Sequence, residues 1–213
     1  MRIALINENS QAPKNALIYK TLNDVAGRFG HNVDNYGMYS QEDKAWLTYV
    51  QNGILASVLI NSGAADFIVT GCGTGVGAML ACNSFPGVIC GLAVEPSDAF
   101  LFLQINNGNA ISLPYAKGFG WGAELNMAYI FEKLFEGEPG GGYPPEKQKV
   151  ERENKGILDQ VKKNNFKDII ECLEGLDTAL VEGAMSGGNF KSLFYQHATD
   201  EKLIRYVKSI VGE

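Results

Sequence analysis

Short apolar runs alternate with longer segments of helical period through the first two thirds of the chain, and few folds accept that pattern. Ile3 to Ile6 reads as a first strand; Ala16, Leu17, Leu22, Val25, Ala26 and Phe29 then recur at helical spacing until Gly30. A strand near Val33 to Tyr36 follows, then a helix marked by Trp46, Tyr49, Val50, Ile54, Val58 and Leu59. Phe67 to Thr70 gives a third strand, Gly75 to Asn83 a helix and Val88 to Ala93 a fourth strand. Pro96 suits the first turn of a helix running to about Ile105, Ala110 to Leu113 is a fifth strand, and Gly118 to Glu136 a further helix. This β-α alternation argues for a parallel sheet covered on both faces.

The pattern stops at Gly137-Glu138-Pro139-Gly140-Gly141-Gly142-Tyr143-Pro144-Pro145, which can neither continue a helix nor donate a full strand ladder. It divides the chain into residues 1–146 and 147–213. The second part contains no convincing strand. Ile157, Leu158 and Val161, then Ile169, Ile170, Cys172 and Leu173, then Leu203, Ile204, Val207 and Ile210 repeat at helical spacing, so a helical extension is expected, too small to stand alone. Lys147, Lys149, Arg152 and Lys155 crowd just after the glycine hinge, among Glu146, Glu151 and Glu153. They read either as a solvated helix face or as cations for a phosphate.

A chain of 213 residues with 46% hydrophobic content can bury one good core. The net charge of −6, with no basic stripe, argues against nucleic acid as a partner. Cys72, Cys82, Cys90 and Cys172 have neither metal-ligand spacing nor the density of a disulfide framework. The apolar run at the N-terminus is too short for a signal peptide, and no stretch is long enough to cross a membrane. A cytoplasmic protein with reduced thiols is expected, with no metal.

Cys72-Gly73-Thr74-Gly75-Val76-Gly77 follows the third strand directly, placing a thiol where a buried strand ends and a helix begins. The glycines allow a sharp turn and close approach of a ligand, and the amides at the helix start favour an anion. A cysteine in such a place can act as base or nucleophile. Two other readings compete. Gly73-x-Gly75-x-x-Ala78 with Glu95 about twenty residues on satisfies a relaxed dinucleotide fingerprint, although it follows the third strand instead of the first. Alternatively the glycines serve only strand-helix packing and Cys72 is a small core residue.

Asp66 to Gly77, Cys82-Asn83, Val94-Glu95-Pro96-Ser97-Asp98-Ala99 and Asn106-Asn107-Gly108-Asn109 resemble, in order and spacing, the signature blocks of the ribose-5-phosphate isomerase B and galactose-6-phosphate isomerase family. The resemblance covers about residues 1–150; beyond Lys155 the tail is similar to an extension found in a subset of relatives. It implies a Rossmann-like three-layer α/β/α fold with a five-stranded parallel sheet, a homodimer with sites shared between subunits, and aldose-ketose isomerisation of a phosphorylated sugar through a cis-enediolate without a cofactor. By the same resemblance Cys72 matches the proton-transferring cysteine, and Thr74 a hydroxyl that assists it or binds a substrate oxygen. The Gly73, Gly75, Val76 and Gly77 segment matches the oxyanion cradle. Asn106 matches a ligand for sugar hydroxyls, Asn7 and Glu8 fall where the family has an aspartate, and Tyr49 matches a tyrosine lining the site.

The chain also departs from the family. Ile105 stands where ribose-5-phosphate isomerases carry the ring-opening histidine, Asn9 replaces another frequent histidine, and Pro114-Tyr115-Ala116-Lys117 replaces Gly-Ser-Arg. The two phosphate-clamping arginines near the hinge are missing, with Lys147 and Lys149 as substitutes that lack arginine's bidentate fork; Lys117 is a further candidate for binding phosphate. Of the histidines, His31 suits a surface turn, and His197 reaches a site only if the tail folds over it. Altered selecting positions around an intact loop point to an isomerase with a changed substrate, one needing no ring opening. A diverged sugar-phosphate-binding protein without turnover and a dinucleotide enzyme remain the alternatives.

Overall fold

The computed structural model describes residues 1–212; Glu213, which ends the expected extension, lies outside the described residues. Five strands, β1 (Arg2–Asn7), β2 (Asn32–Asn35), β3 (Phe67–Cys72), β4 (Cys90–Leu92) and β5 (Ala110–Pro114), form an all-parallel sheet in the order β2-β1-β3-β5-β4. Around the sheet run α1 (Asn15–Arg28), α2 (Tyr49–Asn61), α3 (Val76–Asn83), α4 (Pro96–Leu101) and α5 (Ala123–Phe135). The tail supplies α6 (Gln148–Asn165), α7 (Ile169–Glu174), α8 (Thr178–Ala184), α9 (Phe190–His197) and α10 (Glu201–Val211). The architecture is the Rossmann-like α/β/α sandwich expected from the sequence.

Alternate strand residues serve two cores, as a parallel sheet with both faces covered requires. Ile3, Leu5, Phe67, Val69, Ile111 and Leu113 pack with α1 and α5. Ala4, Ile6, Ile68 and Ala110 face the other way, toward α2. Nearly every turn of α2 is buried, including Ile54, Leu55, Ala56, Val58 and Leu59, because the tail covers its outer side with Leu173, Val181, Phe190, Phe194, Leu203 and Val207. Thr199 and Asp200 donate their amides to the Ser62 carbonyl (2.7 and 3.2 Å) just past the end of α2.

Element ends follow local chemistry. The second helix starts at Tyr49, not Trp46, because Thr48 caps it: its hydroxyl accepts from the Gln51 amide (3.3 Å) while the Gln51 side chain accepts from the Thr48 amide (2.9 Å). The fifth helix starts at Ala123, since Gly118 and Gly122 take φ of +72° and +81°, outside the right-handed helical region. The fourth ends at Leu101 and continues as a π-helical turn, Phe102–Asn106. Ile157, Leu158 and Val161 do lie on a helix, but in this chain α6 buries nothing and all three face solvent.

From β1 the chain moves outward to β2, then crosses back to β3 on the other side. The direction of winding therefore reverses between β1 and β3, and the crevice above their carboxyl ends is where open α/β sheets hold ligands. Glu8 and Cys72 stand at that edge.

Candidate active site

Strand β3 delivers Cys72 to the crevice almost buried, at 8% exposure. Its thiol lies over the start of α3: a Cβ placed on Gly77 would sit 3.6 Å from Cys72 Sγ and 3.4 Å from the Tyr49 ring. Both are ordinary contact distances, so the thiol and the phenol ring lie side by side over residue 77. Gly75 turns the chain at φ +78°, and a Cβ there would meet Leu92 at 2.6 Å. Two bonds fix the loop from beneath, Ser112 Oγ donating to the Gly75 carbonyl (2.6 Å) and the Val76 amide donating to Thr74 Oγ1 (3.3 Å). Thr74 is exposed, with its hydroxyl proton free to turn toward a ligand. The first-turn amides of a helix have no intrahelical acceptor, so the start of α3 favours negative charge developing above it.

The segment after β5 is bonded to the same loop. The Tyr115 amide donates to the Cys72 carbonyl (2.9 Å), and the Ala116 and Lys117 amides both donate to the Gly73 carbonyl (3.0 and 2.8 Å). Tyr115 lays its ring across Gly71, where any Cβ would lie 2.3 Å from it. Its buried phenol is pushed far above the ordinary tyrosine range by burial first and by the nearby Cys72 second.

Glu8 leaves β1 buried and uses both carboxylate oxygens, accepting from the Ser10 amide (2.9 Å) and the Ser10 hydroxyl (2.6 Å). The chain of bonds continues from Gln11 Nε2 to Ser10 Oγ (2.9 Å) and from Lys14 Nζ to Gln11 Oε1 (2.8 Å). Lys14 also donates to the Tyr115 carbonyl and lies 4.3 Å from the centre of the Phe119 ring, and burial lowers its pKa. Ser10, Gln11 and Lys14 were not singled out from the sequence. Their only signal was a polar run directly after an apolar strand, ending in a lysine.

Cys72, Gly73, Thr74, Gly75, Val76, Gly77, Tyr49, Glu8 and Lys117 thus gather at one edge of the sheet. Asn7 is beside them but fully buried, its amide donating to the Gln11 carbonyl (3.1 Å), so it holds the turn instead of facing the crevice. Asn106 is not brought there. It precedes β5, whose first residue pairs with Ile68 and whose last pairs with Cys72, so a strand length of roughly 15 Å separates it from the thiol. Lys147 and Lys149 lie at that far end too, because the hinge is tied to the π-helical turn: the Gly140 amide donates to the Leu103 carbonyl and the Gly142 amide to that of Gln104 (3.0 and 3.1 Å). Arg152 Nε donates to the Gly140 carbonyl (2.8 Å), and Lys155 pairs with Asp159 (2.6 Å). His197 pairs with Asp34 on the edge strand β2 (3.5 Å), and His31 Nδ1 lies 3.2 Å from the N-terminal amine. Among the described residues no group of three or more His, Cys, Asp or Glu is placed to hold a metal ion, and no helix is long and apolar enough to cross a membrane.

A buried thiol at the reversal point of a parallel sheet, over a glycine loop that opens a helix, is the candidate site of this α/β protein. The family model described as Ribose/Galactose Isomerase matches residues 3–137, and a second, described as Ribose-5-phosphate isomerase, matches residues 165–210. A 4-deoxy-L-threo-5-hexosulose-uronate ketol-isomerase, solved as a complex with a tartrate, is 54% identical over 100% of both chains with a TM-score of 0.98. A ribose-5-phosphate isomerase from Vibrio parahaemolyticus is 53% identical over 99% of both chains, with a TM-score of 0.96. The ribose-5-phosphate isomerase B of Clostridium thermocellum shares the fold at 21% identity, covering 77% of this chain and 99% of its own, with a TM-score of 0.59. No curated protein matches the chain. The chain belongs to the ribose/galactose isomerase family, and with it to the aldose-ketose isomerases.

Proposed function

We propose that the chain isomerises an open-chain sugar bearing an anionic end, through a cis-enediolate, with Cys72 as the base that carries the proton between neighbouring carbons. The observation that carries this reading is the placement of the Cys72 thiol above the glycine loop that starts α3. The thiolate takes the proton alpha to the carbonyl and returns it, as the thiol, to the adjacent carbon, while the hydroxyl proton passes between the two oxygens of the enediolate, so one group serves both directions. The oxyanion formed meanwhile is stabilised by amides of the Gly73 to Gly77 segment, and Thr74, Glu8 and Tyr49 flank the place where the sugar hydroxyls lie. No cofactor enters the scheme. The dinucleotide reading loses its support, because the chain belongs to the ribose/galactose isomerase family.

For the anionic end, phosphate is what the family implies, with Lys117 as the nearest of the three expected lysines. A second reading, a uronate carboxylate, is favoured by Ile105. A 4-deoxy-5-hexosulose-uronate, as named for the 54% identical relative, has neither the C4 nor the C5 hydroxyl needed to close a ring onto C1. Such a substrate needs no ring-opening histidine.

We further propose a cytoplasmic homodimer in which the far end of one chain completes the site of the other. Asn106, Lys147 and Lys149 lie toward one end of the sheet and Cys72 at the opposite end, which supports pairing of two half-sites. The exposed Val150, Ile157, Leu158 and Val161 of α6 offer apolar surface for it. Light scattering on a size-exclusion column is expected to give twice the 23.1 kDa chain mass; a stable monomer at micromolar concentration would count against it. The division into residues 1–146 and 147–213 is kept as the functional one, the first part carrying the chemistry.

The chemistry is tested by NMR in D2O with ribose 5-phosphate, a tetrose phosphate and an open-chain 5-keto uronate. Deuterium should enter beside the carbonyl of one of them with the wild type and not with Cys72→Ala, at a rate lowered at least 10²-fold. Thermal stabilisation by a sugar without exchange of deuterium would instead make the chain a binding protein.

A further inference from the structure

We infer that Trp121 is a substrate-contacting residue, its indole capping the Cys72 crevice and selecting the far end of the sugar; this rests on the isomerase reading above. The segment that carries it leaves the sheet from the catalytic loop itself, through the hydrogen bonds of Tyr115, Ala116 and Lys117 to Cys72 and Gly73. It returns to the body at α5, where the Ala123 amide donates to the Gly120 carbonyl (3.0 Å) and the Leu125 amide to that of Gly122 (3.1 Å). Between these anchors Trp121 is fully exposed. The other aromatic of the segment, Phe119, is half-buried and docked against Lys14. One ring therefore fastens the segment and the other is left over.

The glycines around Trp121 have no packing reason. A Cβ at Gly118, Gly120 or Gly122 would meet nothing within 4 Å. Their use is conformational, with Gly118 and Gly122 in the left-handed region and able to change direction at low cost. The four Cα steps from Lys117 to Trp121 reach at most roughly 14 Å, enough for the indole to lie over the neighbouring Gly73 loop. An indole suits that position: its face stacks on the C–H face of a sugar, and its N–H donates to a hydroxyl or an anionic oxygen. Leu125 and Tyr129 continue the exposed apolar surface along α5, so the competing occupant is a second copy of the chain.

The chain has two tryptophans, Trp46 and Trp121, which makes the question one of fluorescence. Trp46→Phe leaves Trp121 as the sole indole, and Trp121→Phe leaves Trp46. Each is titrated with ribose 5-phosphate and, separately, with tartrate. A saturable emission change in Trp46→Phe that is missing in Trp121→Phe is expected. In steady-state assays Trp121→Ala should raise KM about tenfold or more, and Trp121→Phe should recover most of that loss, both with an unchanged melting temperature. An emission that ignores both probes overturns the inference, and so does one that responds only to protein dilution, which would assign Trp121 to a subunit contact. Deuterium exchange separates the two failures: exchange that persists with no emission response leaves the isomerase reading standing without Trp121.

Discussion

At the scale of single residues, the site is organised as much by missing side chains as by present ones. Gly71 has a conventional strand position, yet a Cβ there would meet the Tyr115 ring at 2.3 Å and the Leu113 carbonyl oxygen at 2.4 Å. The buried ring is held between neighbours on adjacent strands and has nowhere to go. Gly71→Ala is therefore expected to cost about 1 to 3 kcal/mol of stability, read as a lowered urea midpoint with unchanged slope. Sequence reasoning found the thiol and its glycines because they are consecutive. It missed Lys14, whose carbonyl partner, that of Tyr115, is 101 residues away, and Gln11, whose importance lies in joining Ser10 to Lys14. It also gave Asn7 and Glu8 the same role. Both are buried, but Asn7 ends β1 with its amide on the Gln11 carbonyl, whereas Glu8, one residue past the strand, turns its carboxylate to Ser10.

Among elements, helix α2 shows how a local signal and a distant covering cooperate. Its start is written in Thr48-x-x-Gln51, a reciprocal cap, while Gln51 also extends its amide to the Leu180 carbonyl on α8 (3.5 Å). Thr48→Ala removes the hydroxyl acceptor and is expected to cost about 1 kcal/mol, a fall of roughly 2 to 4 °C in melting temperature by calorimetry. Farther along, Asn52 donates to Thr70 Oγ1 (3.0 Å), which donates to the Ile6 carbonyl (2.9 Å), so the same helix is bonded through β3 to β1 below the crevice. The periodicity of the sequence located α2. It gave no hint that the helix would be buried all round, because the residues covering its outer side come from more than a hundred positions later. The same limit applies to α6, whose apolar residues have helical spacing but no partner face within the chain.

For the molecule as a whole, strand order was beyond the reach of the sequence. Alternating strands and helices require a parallel sheet, but the position of β5 between β3 and β4 depends on which crossover packs best. The tail contributes Leu173, Phe190, Phe194, Leu203 and Val207 to a core shared with Ile6, Ile54 and Ile68. A chain ending at Asn165 is accordingly expected to be recovered as aggregate or to bind a hydrophobic dye strongly; a soluble, cooperatively melting product would refute this shared dependence. Synthesis runs from the N-terminus, so every element of the Cys72 crevice is made while the residues that shield α2 are still unmade or inside the ribosome. The emerging isomerase unit must carry a bare apolar flank until α10 has been released to cover it.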